Sequence, residues 1–227
     1  MLGLGSGLVT SGAPSEFLPS NISSLIHWYK HASGLEDAGG AFPDDDEKIT
    51  TWRDNKGSND GTTNAYDMLW DDTNKAIVSP NYGGFVLADE LTFAGAFSIY
   101  FRVQYLETPG ATDYFSQDLS NAGGMFISVR SPTLFRARID STNRDFSPPT
   151  LGTGQYYNFG LERDSSNNLR LYIDGTESST GARTDTSAVI FDLMRCSTND
   201  LYVTTLIFDD ALSSDDRAAM ETYLSNI

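Results

Sequence analysis

Alternation of apolar and polar positions organises most of this chain. In FSIYFRVQY (97–105), Phe97, Ile99, Phe101, Val103 and Tyr105 fall on one side, and Ser98, Tyr100, Arg102 and Gln104 on the other. A period of two held over nine residues predicts a strand buried on one face. GGMFISVR places Met125, Ile127 and Val129 together. LFRARID sets Phe135, Ala137 and Ile139 against Arg136 and Arg138. YYNFGLER sets Tyr157, Phe159 and Leu161 against Asn158 and Glu162, and LRLYIDG sets Leu169, Leu171 and Ile173 against Arg170 and Tyr172. SLIHWYK, KITTWRD and LYVTTLIF read as further short strands. Turn formers separate these runs. DSSNN lies between two of them, and Asp174-Gly175 follows the second, where Gly, Asn and Asp tolerate the positive φ of tight hairpins. Many short strands with frequent turns predict an antiparallel sandwich.

One helix stands out. In SSDDRAAMETYLSNI, Ser213 is placed to cap, with Asp216 three residues on. Met220, Tyr223, Leu224 and Ile227 then share one face at helical spacing, which predicts packing on the outside or rim of the sandwich. Ahead of all this, residues 1–20 are rich in Gly, Ser and Pro, with Leu2, Leu4, Leu8 and Val9 scattered among them. They read as an arm that contacts neighbouring subunits, followed by one domain over residues 21–227.

Composition narrows the function classes. The 227 residues carry 31 acidic and 15 basic side chains, a formal charge of −16. That excess repels phosphate backbones and argues against nucleic acid as a partner. The single cysteine, Cys196, permits no internal disulfide and reads as a small buried apolar side chain. No apolar run is long enough to insert into a membrane. The N-terminus lacks the basic region and unbroken apolar stretch of a signal peptide.

Several segments together resemble the laminin-G/concanavalin A-like jelly-roll domains. They are LIHWYKHASGLEDAGG with ITTWRDNKGSND, then FSIYFRVQY, YYNFGLERDSSNNLRLYIDGTES and LYVTTLIFDDALSSDDRAAMETYL. The resemblance covers about residues 22–227. It implies an all-β, antiparallel jelly-roll sandwich with an extended N-terminal arm and a short C-terminal helix. MLGLGSGLVTSG directly before such a domain is similar to the start of tailed-phage virion proteins. That second resemblance implies a capsid decoration, fibre or tail-associated component. Its partners would be other virion proteins and copies of itself, and its location the virion.

Jelly rolls of this type include glucanases, whose chemistry needs two carboxylates about 5–5.5 Å apart on one strand. No Glu-x-Asp-x-Glu or Glu-x-Asp-x-x-Glu pattern is present. Glu162 and Asp164 are followed only by Asp174 past a turn, and Asp89-Glu90 point to opposite faces. A chain without enzymatic activity is therefore expected. GLGSGL lacks the third glycine of a dinucleotide loop, because Leu8 stands there and no strand precedes it. His27 and His31 lie in a strand and the loop beyond it, not on a helix that would bring them together. No cofactor is required. Calcium is the one ion the acidic loops could hold, with Asp44, Asp46, Asp54 and Asp60 as candidate ligands. A host-surface glycan is the alternative partner. NAYDMLWDD reads as a loop, which makes Trp70 an exposed platform for a sugar ring, with Tyr66 beside it. Trp28 and Trp52, in alternating runs, read as core.

Overall fold

The computed structural model describes residues 17–64, 66–117, 125–198 and 200–227. The early part of the chain forms β1 (Leu25–Tyr29), β2 (Leu35–Glu36), β3 (Lys48–Ile49), β4 (Thr51–Trp52), β5 (Gly61–Thr63), β6 (Met68–Asp71) and β7 (Ala76–Val78). The middle forms β8 (Gly83–Phe93), β9 (Phe97–Tyr105), β10 (Thr112–Ser116), β11 (Phe126–Ser131), β12 (Leu134–Ile139) and β13 (Thr142–Phe146). The remainder forms β14 (Tyr156–Arg163), β15 (Asn168–Ile173), β16 (Thr176–Glu177), β17 (Arg183–Thr184), β18 (Val189–Cys196), β19 (Asp200–Phe208) and the helix α1 (Ser214–Ser225).

Two antiparallel sheets result. The first runs β16-β15-β14-β9-β19-β7-β6-β3, with β1 also beside β19 and β17 beside β15. The second runs β13-β12-β11-β10-β18-β8-β5-β4-β2. Neighbours distant in sequence, such as β9 with β19 and β8 with β18, give the crossovers of a jelly-roll sandwich. The expected all-β sandwich and its C-terminal helix are both present.

The apolar rows face each other between the sheets. Phe101 sits at the centre, its ring 5.1 Å from Phe159, 4.9 Å from Tyr114 and 5.4 Å from Phe115. Trp28 and Trp52 are buried as expected, and Cys196 lies in the core. One expectation changes: β9 is buried on both faces over its first half. Ser98 and Tyr100, on the polar side of the alternation, are fully covered, because α1 and the segment 210–212 before it lie against that side. Met220 and Leu224 of α1 pack with Tyr100, Leu206 and Phe208 on the outside of the first sheet. Gly160 makes room for this arrangement. A Cβ there would stand 2.5 Å from the Tyr100 ring, whose hydroxyl donates to Glu162 at 2.5 Å.

Ser213 caps α1 as expected, accepting from the Asp216 amide at 3.1 Å. Ser213→Ala is expected to destabilise the fold by ~1 kcal/mol, the usual worth of an N-cap, readable in a urea titration. The Asp174-Gly175 turn has φ of 49° and 74°, the conformation in which both residue types are at ease. Strands β8, β10, β13 and β18 were not legible from alternation alone. Each is broken by a bulge, by a mid-strand run of charges or by burial on both faces.

Arg163, at the end of β14, joins the two sheets. It is 0% exposed and donates to three backbone carbonyls: Gly95 at 2.7 Å, Ser187 at 2.5 Å and Phe93 at 2.7 Å. Its guanidinium also lies 5.1 Å from the Phe97 ring centroid. Burial pulls its pKa down and nearby Asp185 opposes this.

Candidate functional site: an arginine row on the outer face of the second sheet

Register brings together residues that the sequence keeps apart. On the side of the second sheet that faces away from the core, β12 presents Arg136 and Arg138, β11 presents Phe126 and Ser128, and β10 presents Asp113 and Ser116. The partners Phe126↔Arg138, Ser128↔Arg136 and Asp113↔Ser128 align them. Beyond β10, β18 adds Leu193 and Arg195. The Arg130 guanidinium lies 4.2 Å from the Phe126 ring centroid, and that of Arg138 lies 5.7 Å from the same ring. Arg130 also pairs with Asp113 at 3.1 Å. Arg195 stands 3.8 Å from Asp113 and stacks 4.5 Å from the Tyr82 ring centroid. The Tyr82 hydroxyl accepts from the Asp113 amide at 2.8 Å, and Arg136 forks onto Asp145 at 2.6 and 2.8 Å.

The result is a continuous row, Arg138–Phe126–Arg130–Asp113–Arg195–Tyr82, on a protein whose overall charge is −16. Its inner members are covered, with the Asp113 and Arg195 side chains only 3% and 6% exposed, while Arg130 keeps 24%. Burial and the Asp113 charge raise the pKa of Tyr82. Arg138 has no carboxylate partner among the described residues, and its Nε is buried without an acceptor, as is that of Arg130.

A cavity lies beyond each end of β10. One, of about 290 Å³, is lined by Tyr82, Glu107, Thr112, Ser197, Thr198 and Asp200 among others. Burial pushes the Asp200 carboxyl up to about 7, against the hydrogen bond it accepts from Tyr114. The other cavity, of about 470 Å³, is lined by Gln117, Met125, Asp140, Ser141 and Ile190 among others. The face therefore combines cations, aromatic rings and polar hollows, the mixture that orients a polar ligand while covering its flat apolar surfaces.

The residues singled out in the sequence fall elsewhere. Trp70 is not an exposed platform. NAYDMLWDD folds partly as β6, and pairing with β3 and β7 turns Met68 and Trp70 inward, leaving Trp70 1% exposed. Tyr66 remains 47% exposed, so the two do not form a shared platform. Asp54 is enclosed by the protein's own donors. Its carboxylate accepts from His27 Nδ1 at 2.6 Å and from the amides of Trp28, Lys56 and Asn59. Burial raises its pKa, but these bonds outweigh burial and hold it below the usual carboxylate range. Asp60 is held by Arg53 Nη1 at 2.6 Å and by the Asp54 amide at 2.8 Å. Asp44 and Asp46 sit on the exposed turn before β3, where Glu47 accepts from the Asp44 amide. Among the described residues no three His, Cys, Asp or Glu side chains converge as a metal group. Leu2, Leu4, Leu8 and Val9 lie outside the described residues.

Sequence reasoning passed over the His27–Asp54 pair and the arginine row. Arg136 and Arg138 were visible as the polar side of LFRARID, but their convergence with Arg130 and Arg195 depends on strand order.

No family model matches the chain, and no curated protein reaches significant similarity to it. Solved structures do match. A Trypanosoma rangeli sialidase superposes with a TM-score of 0.60 at 13% identity, over 90% of this chain and 33% of that one. The same sialidase in complex with sialic acid gives 0.55 at 12% identity, over 90% and 33%. The binding domain of botulinum neurotoxin serotype D/C gives 0.58 at 12% identity, over 89% and 52%. The chain thus spans about a third of the sialidases it matches and about half of the toxin domain.

These neighbours correct one expectation. The missing paired-carboxylate motif had pointed to a chain without enzymatic activity, yet its fold recurs within glycoside-cleaving enzymes, so that inference fails. None of the three is a virion protein. At these identities the likeness establishes the fold: the chain is an antiparallel β-sandwich of the kind found in a sialidase and in a neurotoxin binding domain.

Proposed function

We propose that this chain is a carbohydrate-binding, lectin-like module that takes a saccharide on the outer face of its second sheet. The observation that carries this reading is the arginine–aromatic row lying between two polar cavities. Sugar rings present apolar faces and a rim of hydroxyls. Half-exposed Tyr82 supplies a ring edge, and the nearby hydroxyls and carboxylates of Thr112, Ser197 and Glu107 supply polar partners. The neighbours support the reading: one was solved with sialic acid and another is a toxin binding domain.

The test is a glycan array probed with wild-type protein and with Tyr82→Ala. Wild type is expected to bind a restricted set of glycans, and Tyr82→Ala to weaken that binding at least tenfold while its melting temperature stays within a few degrees. An array without a single bound glycan would overturn the proposal, and so would unchanged binding by Tyr82→Ala.

A further inference from the structure

We infer that the outer face of the second sheet selects acidic saccharides, those bearing a carboxylate or sulfate, and that Arg138 and Arg130 form the subsite for the anionic group. This rests on the glycan-binding reading above and names the ligand class it leaves open.

Two guanidiniums converge on one ring, at 4.2 and 5.7 Å from the Phe126 centroid. The ring attracts each of them but cannot neutralise either. Arg130 has Asp113, which also lies within ion-pair distance of Arg195. Arg136 has its own forked partner in Asp145. Arg138 has no carboxylate among the described residues, although its strand partners and the Phe126 ring hold its stem in place. Burying part of a cation without an acceptor is costly, and an anionic ligand removes that cost. A guanidinium fork matches the two oxygens of a carboxylate or sulfate, whereas a neutral hydroxyl offers a single uncharged oxygen that the fork cannot pair side by side.

The charge of the whole chain decides between classes of anion. The row attracts over short distances, because screening in physiological salt confines it to about 8 Å. A long polyphosphate would extend past the row onto an acidic surface with a formal charge of −16. A saccharide with discrete acidic groups fits a local cationic row flanked by polar cavities.

Titration calorimetry would use three probes: an oligogalacturonate, a heparin-derived sulfated oligosaccharide and a neutral cello-oligosaccharide. Wild type is expected to bind at least one acidic probe at least tenfold more tightly than the neutral one, with affinity falling as salt rises. Arg138→Gln is expected to remove that preference, and Arg138→Lys to restore only part of it, because an ammonium cannot fork. Lys48→Gln, on β3 of the first sheet and paired with Asp67, is the control and should change nothing. Neutral binding that equals acidic binding, or an acidic preference untouched by Arg138→Gln, overturns the charge selectivity and leaves the glycan reading standing. Failure of all three probes, with no glycan bound on the array, overturns both. A single-stranded oligonucleotide bound more tightly than either acidic saccharide, and lost in Arg138→Gln, would overturn the saccharide assignment in favour of a phosphate ligand.

Discussion

Arg163→Met is expected to lower the unfolding free energy by ~4 kcal/mol, a fall of roughly 10 °C in melting temperature for a domain of this size. The side chain is fully buried, and its three donors each end on a carbonyl. Those carbonyls belong to β8, to the β8–β9 connection and to the segment before β18, whereas Arg163 itself belongs to β14. One residue therefore ties the end of β14 in the first sheet to the second sheet. Methionine fills much of the space but takes the donors from all three carbonyls, that of Phe93 in a buried site and those of Gly95 and Ser187 in partly buried ones. The penalty for orphaned buried acceptors exceeds what the added apolar contact returns. Arg163→Lys keeps the charge but cannot span three divergent carbonyls, so it should fall between wild type and methionine. Differential scanning calorimetry on the three proteins checks the order. A loss below 1 kcal/mol in Arg163→Met would show that the sheets hold at this end without the arginine.

Asp200→Asn should stabilise the protein in mildly alkaline solution and lose that advantage in acid. Asp200 is buried beside Tyr114, and burial raises its carboxyl from 3.8 to about 7. Between these values the folded carboxyl keeps a proton that the unfolded one releases. Stability is therefore highest below about pH 4, falls as pH rises through the window, and stays low above about 7. At about 1.4 kcal/mol per unit, the deficit in the wild type approaches ~4 kcal/mol at pH 8. Asparagine accepts the same Tyr114 hydrogen bond without a charge to bury, so the variant lacks this deficit. The difference between the two proteins should thus be ~4 kcal/mol at about pH 8 and near zero at about pH 4, measured by urea unfolding. Glu221 of α1, which burial also raises to about 7, keeps a pH slope of the same sign in both proteins and cancels in the comparison. Parallel stability curves across the range would show that Asp200 is better solvated than its burial implies.

Much of the fold was legible because alternation is a local property. The apolar row of FSIYFRVQY points into the core, and α1 begins at its capping serine. The stretch reading NAYDMLWDD misled because its alternation spans only Met68–Asp71, too short to distinguish from loop before partners are known. Burial of both faces of β9 was invisible for another reason. Whether Tyr100 meets solvent depends on a helix more than a hundred residues later in the chain.

The candidate site was less legible still. Asp54 and Asp60 look like cation ligands in DNKGSND, since composition counts oxygens but not the donors that occupy them. The fold supplies those donors from His27, Trp28 and Arg53. By itself the sequence determined the sandwich class, the inward faces of its longer strands and the C-terminal helix, all through spacings of two to four residues. Only the tertiary structure decided that Arg138, Arg130, Asp113 and Arg195 form one row and that Arg163 bridges two sheets. Those contacts are made across strand order and register, which no local pattern specifies.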